Sequence, residues 1–240
     1  MLVVDRKRSK SKFTTSLPAV QRVFDYIGST HNIQLARLWT SRRFLLVEGK
    51  DIRLLKQIQN TLFPDSQEPF DTIPNMSIGG WGGWNLAVGT SMVLKNAGGQ
   101  EIITYCILDS DYHTAEQIDE RQEEAKRRGV QLHIWTRKEI ENYLLVPAAI
   151  YRFISSRIEN STIPPDVNKI VEQIDSIVEN SKDGILDAIA TEYLAQNKAG
   201  GVSLANRLAR QKIENAWKTQ EGRLSIVSGK KVITELYGVQ

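Results

Sequence analysis

Cysteine is all but absent from this chain: a single one, Cys106, occurs in 240 residues. An intrachain disulfide is therefore excluded, and so is a cysteine-based zinc site. Cys106 lies inside an apolar run and reads as a small buried hydrophobe. Long apolar stretches are missing too. No run approaches the ~20 residues that a membrane-spanning helix needs, and the N-terminus lacks the apolar core of a secretory signal. The expectation is a cytoplasmic protein with no membrane association. No repeat and no low-complexity tract occurs. Neither sign of charge dominates: 31 Lys and Arg face 28 Asp and Glu, for a net charge of +3. A hydrophobic share of 41% and a charged share of 25% are those of a soluble globular protein, long enough for one large domain or a domain with an added lobe.

What is present is a strand motif that repeats. Phe44 to Asp51 reads FLLVEGKD, four apolar residues stopping abruptly at Glu48, Gly49, Lys50 and Asp51. An apolar run this short, bounded by glycine, predicts a buried strand of a parallel sheet. Ligands of open α/β sheets bind beyond the carboxyl ends of the strands, which places Glu48 for chemistry. Taken alone, an acid and a glycine after a strand are also an ordinary turn into a helix. A second stretch, Ile102 to Asp111 (IITYCILDSD), ends in the same way at Asp109 and Asp111. A third run, VQLHIW from Val130, is followed by Glu139 and Glu141. His133 within it reads as an ordinary strand residue.

Between these strands the apolar spacing is helical: Ile52, Leu54, Leu55, Ile58 and Leu62, then Asn85 to Lys95, then the charged surface helix within Tyr112 to Arg128, closed by Gly129. Four glycines among Gly79 to Trp84 open the second of these helices, as a phosphate contact or as simple tight packing. The turn is neither a P-loop nor a dinucleotide fingerprint. The order strand, helix, strand, helix, strand, helix, strand predicts a parallel α/β layer over 44–145. Before it, 1–43 reads as an extension: a β-like Leu2 to Asp5, a mobile basic stretch to Ser16, and a helical pair over Pro18 to Trp39. After it, 146–222 reads as a helical lobe. The last segment, 223–240, contains Leu224 to Val227, a short apolar run that could rejoin the sheet, then Ser228-Gly229-Lys230-Lys231 and a closing helix.

Carboxylates gathered at one sheet edge repel one another and partly protonate unless cations neutralise them. An all-oxygen donor set favours hard ions, so Mg²⁺ is expected, with Mn²⁺ or Ca²⁺ able to use the same ligands. Six acids suffice for two ions ~3.5–4 Å apart, the arrangement that clamps both oxygens of a phosphodiester displacement. Basic runs at Arg6 to Lys12, Arg42–Arg43, Lys126 to Arg128 and Lys230–Lys231 suit an anionic partner, though each also fits a solvated face.

Glu48-Gly49 after one strand, the glycine turn at Gly79-Gly80, and Asp109-Ser110-Asp111 after another strand resemble the TOPRIM domain, the metal-binding module of topoisomerases, primases and several nucleases. LLVEGKD, ILDSDYHT, RKEIENYL and SGKKVITELYG together resemble the C-terminal catalytic region of the OLD (overcoming lysogenization defect) family of endonucleases. The resemblance runs from about Phe44 to Tyr237. It implies a Rossmann-like, mostly parallel sheet with an added helical lobe, and DNA cleavage with two metal ions. It makes Glu48 a ligand and possible general acid or base, Asp109 and Asp111 the central pair, and Glu139 or Glu141 ligands of the second ion, with Glu141 preferred. The family's additional acid falls four residues after the first glutamate, where this chain has Ile52, so Asp51 must substitute. The family's active-site lysine matches Lys230, with Lys231 as understudy. The family also implies an ABC-type ATPase half, for which no Walker A motif occurs here, a helicase partner in some members, and a role in phage defence. Two other readings stand beside it: a topoisomerase- or primase-like protein, with Tyr112 or Tyr143 near the acids, and a nucleic-acid-binding module whose acids hold a structural Mg²⁺.

Overall fold

A computed structural model of the chain describes residues 2–5, 10–13, 30–95, 101–157 and 166–238. At the N-terminus, strands β1 (Leu2–Asp5) and β2 (Lys10–Phe13) form an antiparallel pair. Part of the basic stretch expected to be mobile is thus a strand. Helix α1 (Thr30–Ser41) follows; the helical reading of 18–27 lies outside the described residues.

The centre of the fold is a four-stranded, all-parallel sheet of β3 (Arg43–Val47), β4 (Asn75–Ser77), β5 (Ile103–Leu108) and β6 (Val130–Ile134), in the order β4-β3-β5-β6. Helices α2 (Asp51–Leu62), α3 (Trp84–Lys95) and α4 (Ala115–Arg128) make the crossovers. Alternation along the strands divides the side chains between two layers. Leu46, Cys106 and Leu108 pack with Trp84, Ala87 and Ala125 on one face, and Leu45 and Val47 pack with Leu55 and Ile140 on the other. Both faces being covered is why β3 is a continuous apolar run. Cys106 is buried and free, and burial pushes its thiol up to about 12. Helix α4 begins with a capping box between Thr114 and Gln117 and ends at Gly129 with φ +73°, the left-handed turn that glycine adopts at lowest cost.

Strand order decides where ligands go. The chain leaves β3 toward β4 on one side, and leaves β5 toward β6 on the other. The crevice between the carboxyl ends of β3 and β5 is therefore the switch point of the sheet. Glu48 follows β3 and Asp109 follows β5.

The helical part comprises α5 (Pro147–Ser155), α6 (Val167–Asn180), α7 (Lys182–Gln196), α8 (Gly201–Ala216), α9 (Gln220–Ile226) and α10 (Gly229–Gly238). Its own core gathers Ile170, Ile174, Val178, Ile189, Ala209, Ile213 and Val232. Residues 224–227 do not rejoin the sheet. They lie in and just beyond α9, where Leu224 and Val227, three positions apart, both face this helical core. Among the described residues no helix is long and apolar enough to cross a membrane.

Candidate functional site

Three of the four parallel strands, β3, β5 and β6, are followed by acids that gather at the switch point, and the last described helix brings a cation to them. Glu48 accepts the backbone N–H of Asp109 at 3.3 Å, which pins the first two acids to each other. Asp109, 2% exposed, accepts the backbone N–H of Ile140 through Oδ1 at 3.1 Å. Its Oδ2 faces the Lys230 ammonium at 3.5 Å. Lys230 Nζ also lies 3.8 Å from Glu139 and 3.5 Å from Glu141, so one ammonium touches three carboxylates. Asp51, buried on the first turn of α2, lines a cleft of about 450 Å³ together with Glu48, Lys50, Arg53, Glu141 and Lys230.

The six predicted acids do different work. Glu139 is fully engaged: Oε1 accepts the Ser228 hydroxyl at 2.9 Å and the Lys230 backbone N–H at 2.7 Å, and Oε2 faces Lys138 at 3.2 Å. Its charge sits at the N-terminus of α10, where the helix dipole favours an anion. Glu139 therefore anchors the helix that carries Lys230. Asp111 stands at the margin, its carboxylate half-exposed and paired with Lys138 at 3.2 Å, its backbone at φ +45°. Glu48, Asp51, Asp109 and Glu141 face the cleft or its floor. Lys231 turns away toward Ser181 and Glu235, so of the two lysines Lys230 is the one that faces the acids.

Burial sets the protonation of this group. Burial pushes Asp109 up to about 7, and Lys230 opposes the rise. Burial raises Asp51 to about 6 and also raises Glu48. Burial works against the Lys230 charge as well, yet Glu141, Asp109 and Glu139 outweigh it and hold the ammonium charged. Glu139 is lowered, because the Lys230 N–H, Lys138 and Ser228 together overcome the burial penalty.

Among the described residues, no three His, Cys, Asp or Glu side chains stand ready-grouped as metal ligands. Lys230 occupies the place among Asp109, Glu139 and Glu141 where such a group would form. The donor set nevertheless fits a hard cation. It is all oxygen, and Glu141 Oε2 is closed to solvent with no hydrogen-bond donor; Lys230 is 3.5 Å away but not aligned to donate. A buried carboxylate oxygen without a donor calls for a partner, and a hard cation is one that suits it.

Two features of the glycine turn bear directly on the acids. A Cβ on Gly80 would come within 2.5 Å of Glu48 Oε1, and Gly80 has φ +76°. A Cβ on Gly83 would strike the carbonyl oxygen of Ile78. Packing is thus what these glycines serve. The Trp81 indole N–H donates to the Asp109 carbonyl at 2.8 Å, and Trp81 stacks on His113 with ring centres 3.8 Å apart. His113 in turn meets Glu192 of α7 at 3.4 Å, linking the turn to the helical part. Asn142, fully buried, donates to the carbonyls of Leu224 and Val227 at 2.7 Å each and accepts the Glu139 N–H at 3.0 Å. The sequence marked Asn142 only as a member of the RKEIENYL stretch, and marked Trp81 only as part of a glycine-rich turn.

Compared with protein-family models, with curated proteins and with solved structures, the chain matches none.

Proposed function

We propose that this chain is a metal-dependent phosphodiester hydrolase acting on DNA, an endonuclease of the TOPRIM type that its motifs resemble. The observation that carries the reading is the meeting of Asp109 after β5 and of Glu139 and Glu141 after β6 with a single ammonium, beside Glu48 after β3, which accepts the Asp109 N–H and lines the same cleft at the switch point of a parallel sheet. A cluster of this kind suits a substrate that carries negative charge and gains more in the transition state.

Glu48, Asp51, Asp109 and Glu141 are the residues that would hold divalent cations. When bound, such ions polarise a phosphoryl oxygen and lower the pKa of water to yield a nucleophile. Glu48, raised by burial and only half-enclosed, is placed to take up a proton. Lys230, released from its carboxylate partners once cations neutralise them, would meet a nonbridging oxygen of the scissile phosphate. Glu139 and Asn142 keep α10 in place while this happens. The ATPase half and helicase partner that the resemblance implies belong to this proposal as well. The topoisomerase alternative gains nothing from the tyrosines: Tyr112 is raised by burial and covered by Lys138, and the Tyr143 hydroxyl is bonded to Thr136.

Supercoiled plasmid incubated with Mg²⁺, Mn²⁺, Ca²⁺ or chelator is the direct assay. Nicked and then linear product is expected with a supporting metal, absent with chelator and in Glu48→Ala and Asp109→Ala. Intact plasmid under every metal, or cleavage that survives both substitutions, would remove this reading.

A further inference from the structure

The first turn of α2 breaks an electrostatic rule. The N-terminus of a helix carries a partial positive charge that favours anions and disfavours cations within the first turn. Here the N-cap residue is Lys50, and Arg53 is the third residue of the first turn. Both side chains are exposed, and among the described residues neither forms an ion pair or a side-chain hydrogen bond. The acid between them, Asp51, is turned inward and buried. Asp51 at the first helical position suits the dipole, but Lys50 and Arg53 set two cations against it and point them to solvent without a protein partner.

Their position gives these two cations a purpose. Lys50 and Arg53 line the same cleft as Glu48, Asp51, Glu141 and Lys230. The cleft thus has an acidic floor and a rim with two cations free of any protein partner. Nearby basic groups are mostly occupied: Lys138 is shared by Asp111 and Glu139, and Arg137 reaches Glu221 and the Asn142 carbonyl. Violations of local preference with no compensating contact collect at functional sites.

Resting on the nucleic-acid reading above, we propose that Lys50 and Arg53 bind the phosphates that flank the one lodged at the acids. They fix the register of a phosphodiester chain across the cleft. Phosphate contacts of this kind position a duplex without reading its sequence, so the chain they hold is recognised by charge spacing, with little base preference. The floor repels a polyanion until cations occupy it, and the rim offsets that repulsion.

Counterion release makes the proposal measurable. Each phosphate neutralised contributes roughly −0.9 to the slope of log affinity against log salt on duplex DNA. The probe is a fluorescent DNA duplex of mixed sequence with Mg²⁺, in an Asp109→Asn background so that it is not cut. Lys50→Gln and Arg53→Gln are each expected to make the slope shallower by about 1, and the double variant by about 2. At moderate salt the double variant should bind on the order of tenfold or more weakly. A control double variant, Lys126→Gln with Arg127→Gln on the far end of α4, should leave the slope as it was. Because both rim cations oppose the helix dipole, the melting temperature of the rim variants should be unchanged or higher, which separates lost contacts from lost fold.

Unchanged slope and affinity in the rim double variant, no measurable binding by the parent, or an equal loss in the control would each overturn the assignment. The plasmid assay on the otherwise unaltered protein reports separately. Rim-dependent binding without cleavage would discard hydrolysis and keep the rim; cleavage without rim-dependent binding would do the reverse.

Discussion

Asp109 and Asp51 are carboxyl groups held near neutrality by their surroundings, at about 7 and about 6. In the unfolded chain an aspartate titrates near ~4. Between roughly pH 4 and 7 the folded state therefore binds more protons than the unfolded one, and the free energy of unfolding falls as pH rises through that window. The loss is on the order of a few kcal/mol, since a tenfold change in a proton-binding constant is worth ~1.4 kcal/mol and Lys230 couples the groups. In chelator, the melting temperature is expected to be higher at pH 5 than at pH 8, with a flatter profile in Asp109→Asn. Mg²⁺ should reverse the trend, raising the melting temperature more at pH 8 than at pH 5, because the ligands bind metal deprotonated. A metal-free melting temperature that climbs from pH 5 to 8 would contradict the burial of uncompensated acid described here.

At the level of elements, the glycine turn and the strand ends act as one unit, and a pair of substitutions isolates their contact. Gly80→Ala and Gly79→Ala both force alanine into a left-handed backbone, at φ +76° and +69°, costing ~1–2 kcal/mol each. Only at position 80 would the new methyl meet Glu48; at position 79 it enters open space. Cleavage should fall more than tenfold in Gly80→Ala and stay near the parent rate in Gly79→Ala, with similar losses in chemical denaturation. Equal activities would show that Glu48 does not depend on the turn. The central strands β3 and β5 and the acids after them were legible from the sequence because strands covered on both faces are written as largely apolar runs, so each stop stands out. Residues 220–226 were not. LSIV carries no period long enough to separate strand from helix, and it is buried in a core shared with α6, some fifty residues earlier in the chain, as well as with the neighbouring α8. The sequence set Lys50 only within the FLLVEGKD strand end and did not mark Arg53 at all; that both lack a partner among the described residues is visible only once the cleft is formed.

Across the whole molecule, one fully buried amide joins the two halves. Asn142 belongs to the loop after β6, bonds the backbone of 224–227, and thereby fixes α10 and Lys230 against Asp109. Asn142→Ala leaves two carbonyls and one N–H buried without partners, at ~1–3 kcal/mol for each. The expected result is a loss of several kcal/mol in urea unfolding together with loss of cleavage, and Asn142→Asp should fare little better because it cannot donate to either carbonyl. Unchanged stability in both would refute the joint. The dependence of the site on α10 also has a temporal side. A nascent chain that has emerged only as far as β6 carries Glu48 and Asp109 but not Lys230, so the carboxylate–ammonium cluster is assembled only after the last helices have been made and docked against the sheet.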